Sequence, residues 1–205
     1  MIYSWVGFWA TFFIGGSFFY NHDNSVVLPN HDVTHAQLHR VIASNAILSF
    51  MFIPLANMIP TLVFVPSTWV GYIIRVLLAL FIGEAIFYFS HRLLHTPTFY
   101  RFHKMHHMFT SPSPLAGVYA SPLEYFISNH LSMIVPLKII SCPDPLLLCM
   151  ESAIVAANIL KSHSSIDSVA LGSPTHHIHH QYQKHNFGFL YIFDYWFNTL
   201  KLKHD

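Results

Sequence analysis

The stretch from His91 to His107 reads HRLLHTPTFYRFHKMHH and holds five histidines in two groups. His91 and His95 stand four residues apart, and His103, His106 and His107 stand at i, i+3 and i+4. On a helix these spacings gather side chains on one face. A third group, HHIHH, runs from His176 to His180, and within it His176, His179 and His180 repeat the spacing of the second. Neutral imidazole is the commonest side-chain metal ligand. Three such groups meeting at one place offer more donors than one tetrahedral ion takes. A lone helical histidine is ordinarily a surface or satisfied core residue, but chance does not repeat H-x-x-H-H.

The composition around these groups is that of a membrane protein. Of 205 residues, 53% are hydrophobic and 9% charged, against roughly 25% charged in a soluble domain. Mean hydropathy is +0.43. A net charge of +1 with histidines neutral leaves no electrostatic footprint for a nucleic-acid partner. Cys142 and Cys149 form neither a disulfide framework nor a metal pattern.

Working outward, residues 2 to 20 are almost wholly apolar and long enough to cross a bilayer. A signal peptide is the competing reading, and it is disfavoured because the first Lys or Arg is Arg40. His31, His35 and His39 follow at i, i+4 steps; without an H-x-x-H-H we read them as a polar juxtamembrane helix. A second apolar stretch, 41 to 66, is interrupted by Pro54 and Pro60, which predict a kink or a re-entrant segment. A third, 69 to 90, contains Arg75 and Glu84, and ionisable groups at membrane depth suggest function. Glu84, Tyr88, His91 and His95 make one helical stripe, so Glu84 is a candidate to fix an imidazole tautomer from behind, with a solvated carboxylate near the membrane interface as the equal alternative.

Thr96-Pro97 predicts an N-cap and first-turn proline for a helix carrying His103, His106 and His107. Ser121-Pro122-Leu123-Glu124 reads as a capping box. An apolar hairpin follows, with arms near 125–140 and 145–162 and a turn at 141–145, returning His163 to the side of the histidine groups. Ser173-Pro174 predicts another cap, opening the helix of the third group, and the aromatic tail suits a membrane interface. Arg92, Arg101, Lys104, Lys161, Lys184, Lys201 and Lys203 all fall on the histidine side. The positive-inside rule makes that side cytosolic and the N-terminus opposite. The ending KLKHD resembles a cytosolic di-lysine retrieval signal, which predicts the endoplasmic reticulum in a eukaryotic host.

The combined boxes resemble the fatty acid hydroxylase / sterol desaturase superfamily of integral-membrane di-iron oxygenases. The matching residues are HRLLH, HKMHH, HHIHH and His163 in KSHSSID. Around them, Glu84 stands where the family usually has Asp, and Tyr88 matches its Tyr. Asn186-Phe187-Gly188 resembles its Asn-Tyr-Gly. Asp194 to Thr199 resembles its closing Trp-Asp-x-x-Phe-Gly-Thr, with Asn198 in place of Gly. The resemblance covers about residues 84 to 200. It implies an all-α integral membrane helical bundle with a cytosolic histidine-rich helical cap over the metal site. Residues 1–83 would supply N-terminal transmembrane helices and 84–205 the catalytic domain.

The ligands it implies are His91, His95, His103, His106, His107, His163, His176, His179 and His180. Glu84 and Tyr88 would stand behind them. The implied cofactor is two Fe ions; zinc fits the same ligands but cannot cycle electrons to activate O₂. The implied reaction is hydroxylation or oxidation of a lipid C–H bond, of fatty-acyl, sphingoid or sterol type. Electrons would come from NAD(P)H through a reductase and cytochrome b5 or a similar carrier. A lipid desaturase with the same metal centre and a non-catalytic metal-binding paralogue are the alternatives. The family's His-Pro-x-Glu departs here to Ser121-Pro122-Leu123-Glu124, which supports the paralogue. His130, His177 and His185 are possible replacements for the missing histidine, with His177 disfavoured because it projects about 100° from His176.

Overall fold

A reciprocal cap starts the first of the long spans. Gln37 N–H donates to Thr34 Oγ1 at 3.2 Å, and Thr34 N–H donates to the Gln37 carboxamide at 2.8 Å. The computed structural model describes residues 1–22, 33–109, 113–140, 144–164 and 175–202. His31, the hairpin turn at residues 141–143, the Ser173-Pro174 cap and Lys203 lie outside the described residues. The architecture is all-helical: α1 (Ile2–His22), α2 (His35–Met51), α3 (Ile53–Asn57) and α4 (Trp69–Leu94) precede the second histidine group. Three segments, His35–Asn57, Trp69–Leu94 and Pro145–Ser162, are long and apolar enough to cross a membrane. Many large apolar side chains on them face outward, including Ile47, Trp69, Leu77 and Ile154. That is the surface of an integral membrane bundle.

Pro54 kinks the first of these spans. It sits in the first turn of α3, where its missing N–H costs nothing. The chain then leaves helix, and Leu62 and Val63 donate to the carbonyl of Ile139. The short helix α5 (Tyr100–His103) is followed by a 3₁₀ turn, His106–Met108. The expected hairpin is present. Its first arm is a continuous rod of α6 (Pro122–Glu124), a π-helical stretch Tyr125–His130 and α7 (Leu131–Ile139). Its second arm, α8 (Pro145–Ser162), is capped by Asp144, which accepts from Leu146 N–H at 2.8 Å. Two short helices close the chain, α9 (Thr175–Tyr182) and α10 (Ile192–Trp196).

α1 and α8 pack along their lengths in the same direction: Gly7 lies against Cys149 and Gly15 against Leu160. A Cβ on Gly7 would fall onto the Cys149 carbonyl, so this close approach requires glycine. α2 returns antiparallel, with Trp9 Nε1 donating to Ser49 Oγ at 3.0 Å. The core joins Phe8, Trp9 and Phe12 to Ile42, Ala46, Tyr125 and Leu160. At the opposite end from the histidines, buried Arg75 on α4 pairs with Glu151 on α8 at 3.1 Å and donates to the carbonyls of Leu137 and Ile140. One cation therefore ties α4 to both arms of the hairpin. The ends of α4 and α8 at the other side present His91 and His163 together.

Candidate metal centre

The nine histidines singled out by the boxes fall into two groups. His91, His95, His103, His107 and His179 form one, and His106, His163, His176 and His180 the other. Within each, one nitrogen per residue lies within 4.8 Å of all the others. The boxes are split between them. Each i, i+4 pair stays together, as His91/His95, His103/His107 and His176/His180 do. The i+3 members cross over: His106 joins the four-histidine group and His179 the five-histidine group.

That division corrects the expectation that each box aims at one locus on one helix. The second box is not one helix. Thr96 Oγ1 donates back to Leu93 rather than capping, and α5 begins after Phe99 with no side-chain cap. The chain turns at residues 104–105 before the 3₁₀ turn. His103 and His106 are thereby released from a common face.

The imidazole tautomers follow from what backs each ring. Nδ1–H of His91 donates to the Phe187 carbonyl at 2.7 Å, that of His179 to the His185 carbonyl at 2.7 Å and that of His106 to the Tyr119 carbonyl at 3.3 Å. His163 Nδ1–H donates to the Ile159 carbonyl at 2.9 Å, and His103 Nδ1–H to the Glu124 carboxylate at 2.8 Å. A neutral ring that donates through Nδ1 keeps a lone pair on Nε2. Those Nε2 atoms face one another: His91 to His103 at 3.1 Å, His103 to His107 at 2.9 Å, and His163 to His176 at 3.1 Å. Lone pairs gathered at such distances repel unless a cation lies among them. The donor set therefore fits a metal in each group, and imidazole suits Fe, Zn and Cu alike.

Burial keeps these rings neutral. It pushes His95 down to about 3 and His106 to about 4. His103, His107, His163, His176, His179 and His180 are also lowered, first by burial and then by neighbouring imidazoles. A neutral imidazole is the ligating form, so the site is ready for a cation at neutral pH.

Glu84 is not where the sequence placed it. Its carboxylate accepts from Phe189 and Leu190 N–H at 2.8 and 2.9 Å and touches no imidazole. It acts one step back, fixing the strap 186–190 whose Phe187 carbonyl holds His91. Asp194 fixes the same strap through Phe187 and Gly188 N–H, and accepts from Thr199 Oγ1 at 2.7 Å. Gly188 is needed there, since a Cβ would collide with the Glu84 carboxylate. Tyr88 also stands back from the rings; its hydroxyl accepts from Arg92 at 2.7 Å and bonds Thr199.

The carboxylate behind an imidazole is Glu124, which sequence reasoning read only as half of a capping box. Ser121 does cap, accepting from Glu124 N–H at 3.3 Å, but the Glu124 side chain turns to His103 instead of completing the box. Its signal was available: a carboxylate three residues from a cap, in a motif the family shares. None of the possible replacement ligands joins either group. His130 stacks among Phe52, Tyr125 and Phe126. His185 contributes its carbonyl. His39 is exposed on α2, as is His35.

Both groups open onto one cavity of about 450 Å³ between α4, α7 and α8. His91, His103, His106, His163 and His176 line its histidine end, and Glu151 lies at the other.

Comparison with known proteins agrees with this geometry. The sequence model described as fatty acid hydroxylase matches residues 76–199. The chain is 41% identical over 101 residues to fatty acid hydroxylase domain-containing protein 2 of Homo sapiens, covering 48% of this chain and 30% of that protein. It is 28% identical over 168 residues to a fatty acid hydroxylase of Mycosarcoma maydis, covering 80% of this chain and 44% of the relative. It is 39% identical over 64 residues to a C-4 methylsterol oxidase of Schizosaccharomyces pombe, covering 31% and 21%. The chain thus spans less than half the length of these relatives. No solved structure matches it.

Proposed function

The chain belongs to the fatty acid hydroxylase family, and we propose that it is a membrane-bound di-iron oxygenase that hydroxylates or oxidises a C–H bond of a lipid. One observation carries the reading. Nine neutral imidazoles in two groups sit at the end of an apolar cavity between membrane-crossing helices. Relatives named as fatty acid hydroxylases and methylsterol oxidases support the lipid class.

His91, His95, His103, His107 and His179 would hold one iron, and His106, His163, His176 and His180 the other. Iron held there supplies the O₂-dependent oxidation that imidazole and carboxylate groups cannot perform alone. The protein does the rest. Glu124 and the carbonyls of Phe187, His185, Tyr119 and Ile159 fix the tautomers, so that Nε2 lone pairs face inward. The cavity walls keep bulk water from the reacting carbon and hold the lipid alongside it. Electrons would reach the site from NAD(P)H through cytochrome b5 or a similar carrier.

Residues 84–205 carry this chemistry and residues 1–83 anchor it. The division is one of labour, because α4 runs through it and Val76 and Leu80 line the cavity. The Lys/Arg bias supports a cytosolic histidine end, and the ending KLKHD supports the endoplasmic reticulum of a eukaryotic host. Metal analysis of purified protein, with lipid profiling of a host that gains or lacks it, tests the function. About two irons per chain and a new hydroxylated lipid are expected. A new double bond would assign a desaturase, and protein without bound metal would overturn the reading. Glycosylation tags at the C-terminal end, expected to stay unmodified, test the topology.

A further inference from the structure

The cavity beneath the histidines is apolar along most of its walls, with Val76, Leu80, Phe87, Pro136, Val155 and Ile159 among them. Exposed Ile154 and Ala157 belong to the lining, so it opens along α8 toward the lipid-facing surface. Its polar groups are few, and most are committed. Ser128 Oγ donates to Ser90 Oγ at 3.0 Å, and Ser132 Oγ to the Asn129 carbonyl at 3.0 Å. Ser162 Oγ donates to the Ile159 carbonyl at 3.0 Å, and Glu151 is paired with Arg75.

Two carboxamides differ. Asn129 and Asn158 both line the cavity half-buried, and among the described residues neither side chain makes a hydrogen bond within the protein. Each carries two donors and an acceptor. At membrane depth an unpartnered amide is costly, and lipid tails cannot satisfy it. Asn129 also sits in the π-helical stretch Tyr125–His130, and such insertions into α-helices occur frequently at functional sites.

Depth along α8 orders these groups. Asn158 stands two turns beyond Glu151 and five residues before His163, about 7.5 Å along the helix from the level of the nearest ligand. A polar group on a lipid would meet Asn158 at that depth while a more distant carbon reaches the histidines.

Resting on the oxygenase reading above, we propose that Asn129 and Asn158 determine specificity by binding a hydroxyl or carbonyl on the lipid, remote from the carbon that is oxidised. A plain hydrocarbon chain would fill the apolar walls and leave both amides unpaired. The cavity thus selects a lipid with an oxygen function within it over one without.

The test compares paired probes on the purified, metal-loaded protein in nanodiscs: hexadecanol against hexadecane, and cholesterol against 5α-cholestane. Retention is measured for wild type, Asn129→Leu, Asn158→Leu and the conservative Asn158→Gln. Wild type should favour the hydroxylated member of at least one pair by about tenfold, the worth of one good hydrogen bond. Each Leu variant should reduce that preference toward unity, and Asn158→Gln should restore part of it. Metal content should stay at the wild-type level in all three. Equal retention of both members of each pair, no retention of any probe, or full preference in both Leu variants would overturn the proposal. Should a Leu variant fail to fold, Asn158→Gln and Asn129→Ser carry the same comparison. Metal analysis of the same samples separates the two readings, since loss of probe preference with metal intact leaves the oxygenase reading standing.

Discussion

The two histidine groups are built from the same boxes but held differently. The five-histidine group is braced across the chain at two rings, His91 by Phe187 and His103 by Glu124, while His179 leans on nearby His185. The four-histidine group is braced more locally. His163 leans on Ile159 of its own helix, and His176 and His180 share one turn of α9. The support behind His106, the Tyr119 carbonyl, comes from another segment. Three of its four rings line the cavity, against two of five in the other group. The better-braced group thus sends fewer rings to the cavity, although its His95 is half-buried, and the sparser group faces the substrate space. More donors favour retention of a metal, and a place on the cavity wall favours access to a substrate.

Single ligand removals should break this contrast most visibly. His107→Ala and His163→Ala each take one donor, from the five- and four-histidine groups respectively. Both should reduce turnover below detection, because the reaction as proposed needs both ions. Metal content should separate them. Removing one of four donors should empty its group, leaving about one iron per chain, whereas a group reduced from five donors to four should keep part of its metal. Metal analysis with a product assay on purified variants checks this. Full activity in His107→Ala would remove that group from the mechanism.

Acid should discriminate next. Burial holds His95 at about 3 and His106 at about 4, below the ordinary value near 6.5. Between those limits the unfolded chain binds protons that the folded one refuses. Stability is therefore complete above about pH 6.5 and is lost as pH falls toward 4. Protons also compete with metal for the same lone pairs once the fold loosens. Titration from pH 7 to pH 4, followed by metal release and thermal denaturation, should show both falling in that window. Release should begin with the four-histidine group. Metal retained unchanged at pH 4 would contradict the assignment.

The histidines of the two groups were legible in the sequence, and their partition was not. The i, i+4 pairs carry periodicity that survives wherever a helical turn forms. The crossing of His106 depends on the chain breaking at residues 104–105, and no cap marks that break. Arg75 and Glu84 were visible as charges at membrane depth. Their partners were not, because Glu151 lies 76 residues from Arg75 and the Phe189 and Leu190 amides more than 100 from Glu84. The hairpin arms were legible from apolar runs, whereas the π-helical stretch that contains Asn129 leaves no compositional mark. Asn198 shows a departure that costs little: its φ is 55°, a region that Asn tolerates better than most residues and where the family's Gly is free.

Carboxylates behind the rings give a finer comparison. Glu124→Gln keeps a hydrogen-bond acceptor for His103 but removes its charge, and Glu124→Ala removes both. The alanine variant should lose about ten- to a hundredfold in metal affinity or activity, with the glutamine variant less affected. Glu84→Ala acts through the strap 186–190 and should cost less than Glu124→Ala, by loosening His91 rather than changing its tautomer. Metal titrations of the three variants order them. A larger loss in Glu84→Ala would make the strap, not Glu124, the principal support of the five-histidine group.

The smallest effect concerns Ser121, which stands where the family resemblance leads one to expect a histidine. Its hydroxyl accepts from Glu124 N–H at 3.3 Å, which is the work of a helix cap. The position lies between two anchors of the metal centre: Tyr119 holds His106, and Glu124 holds His103. A cap here, two residues after the Tyr119 support, therefore sets the start of the rod that carries Glu124. Ser121→Ala should cost about 1 kcal/mol of stability, as loss of an N-cap does, with metal content unchanged. Ser121→Asp keeps a capping oxygen and should restore the stability. If instead Ser121→Ala empties the four-histidine group while its unfolding temperature holds, the hydroxyl is a ligand. The sparser group would then have a fifth donor after all, and the contrast between the two groups would rest on bracing alone.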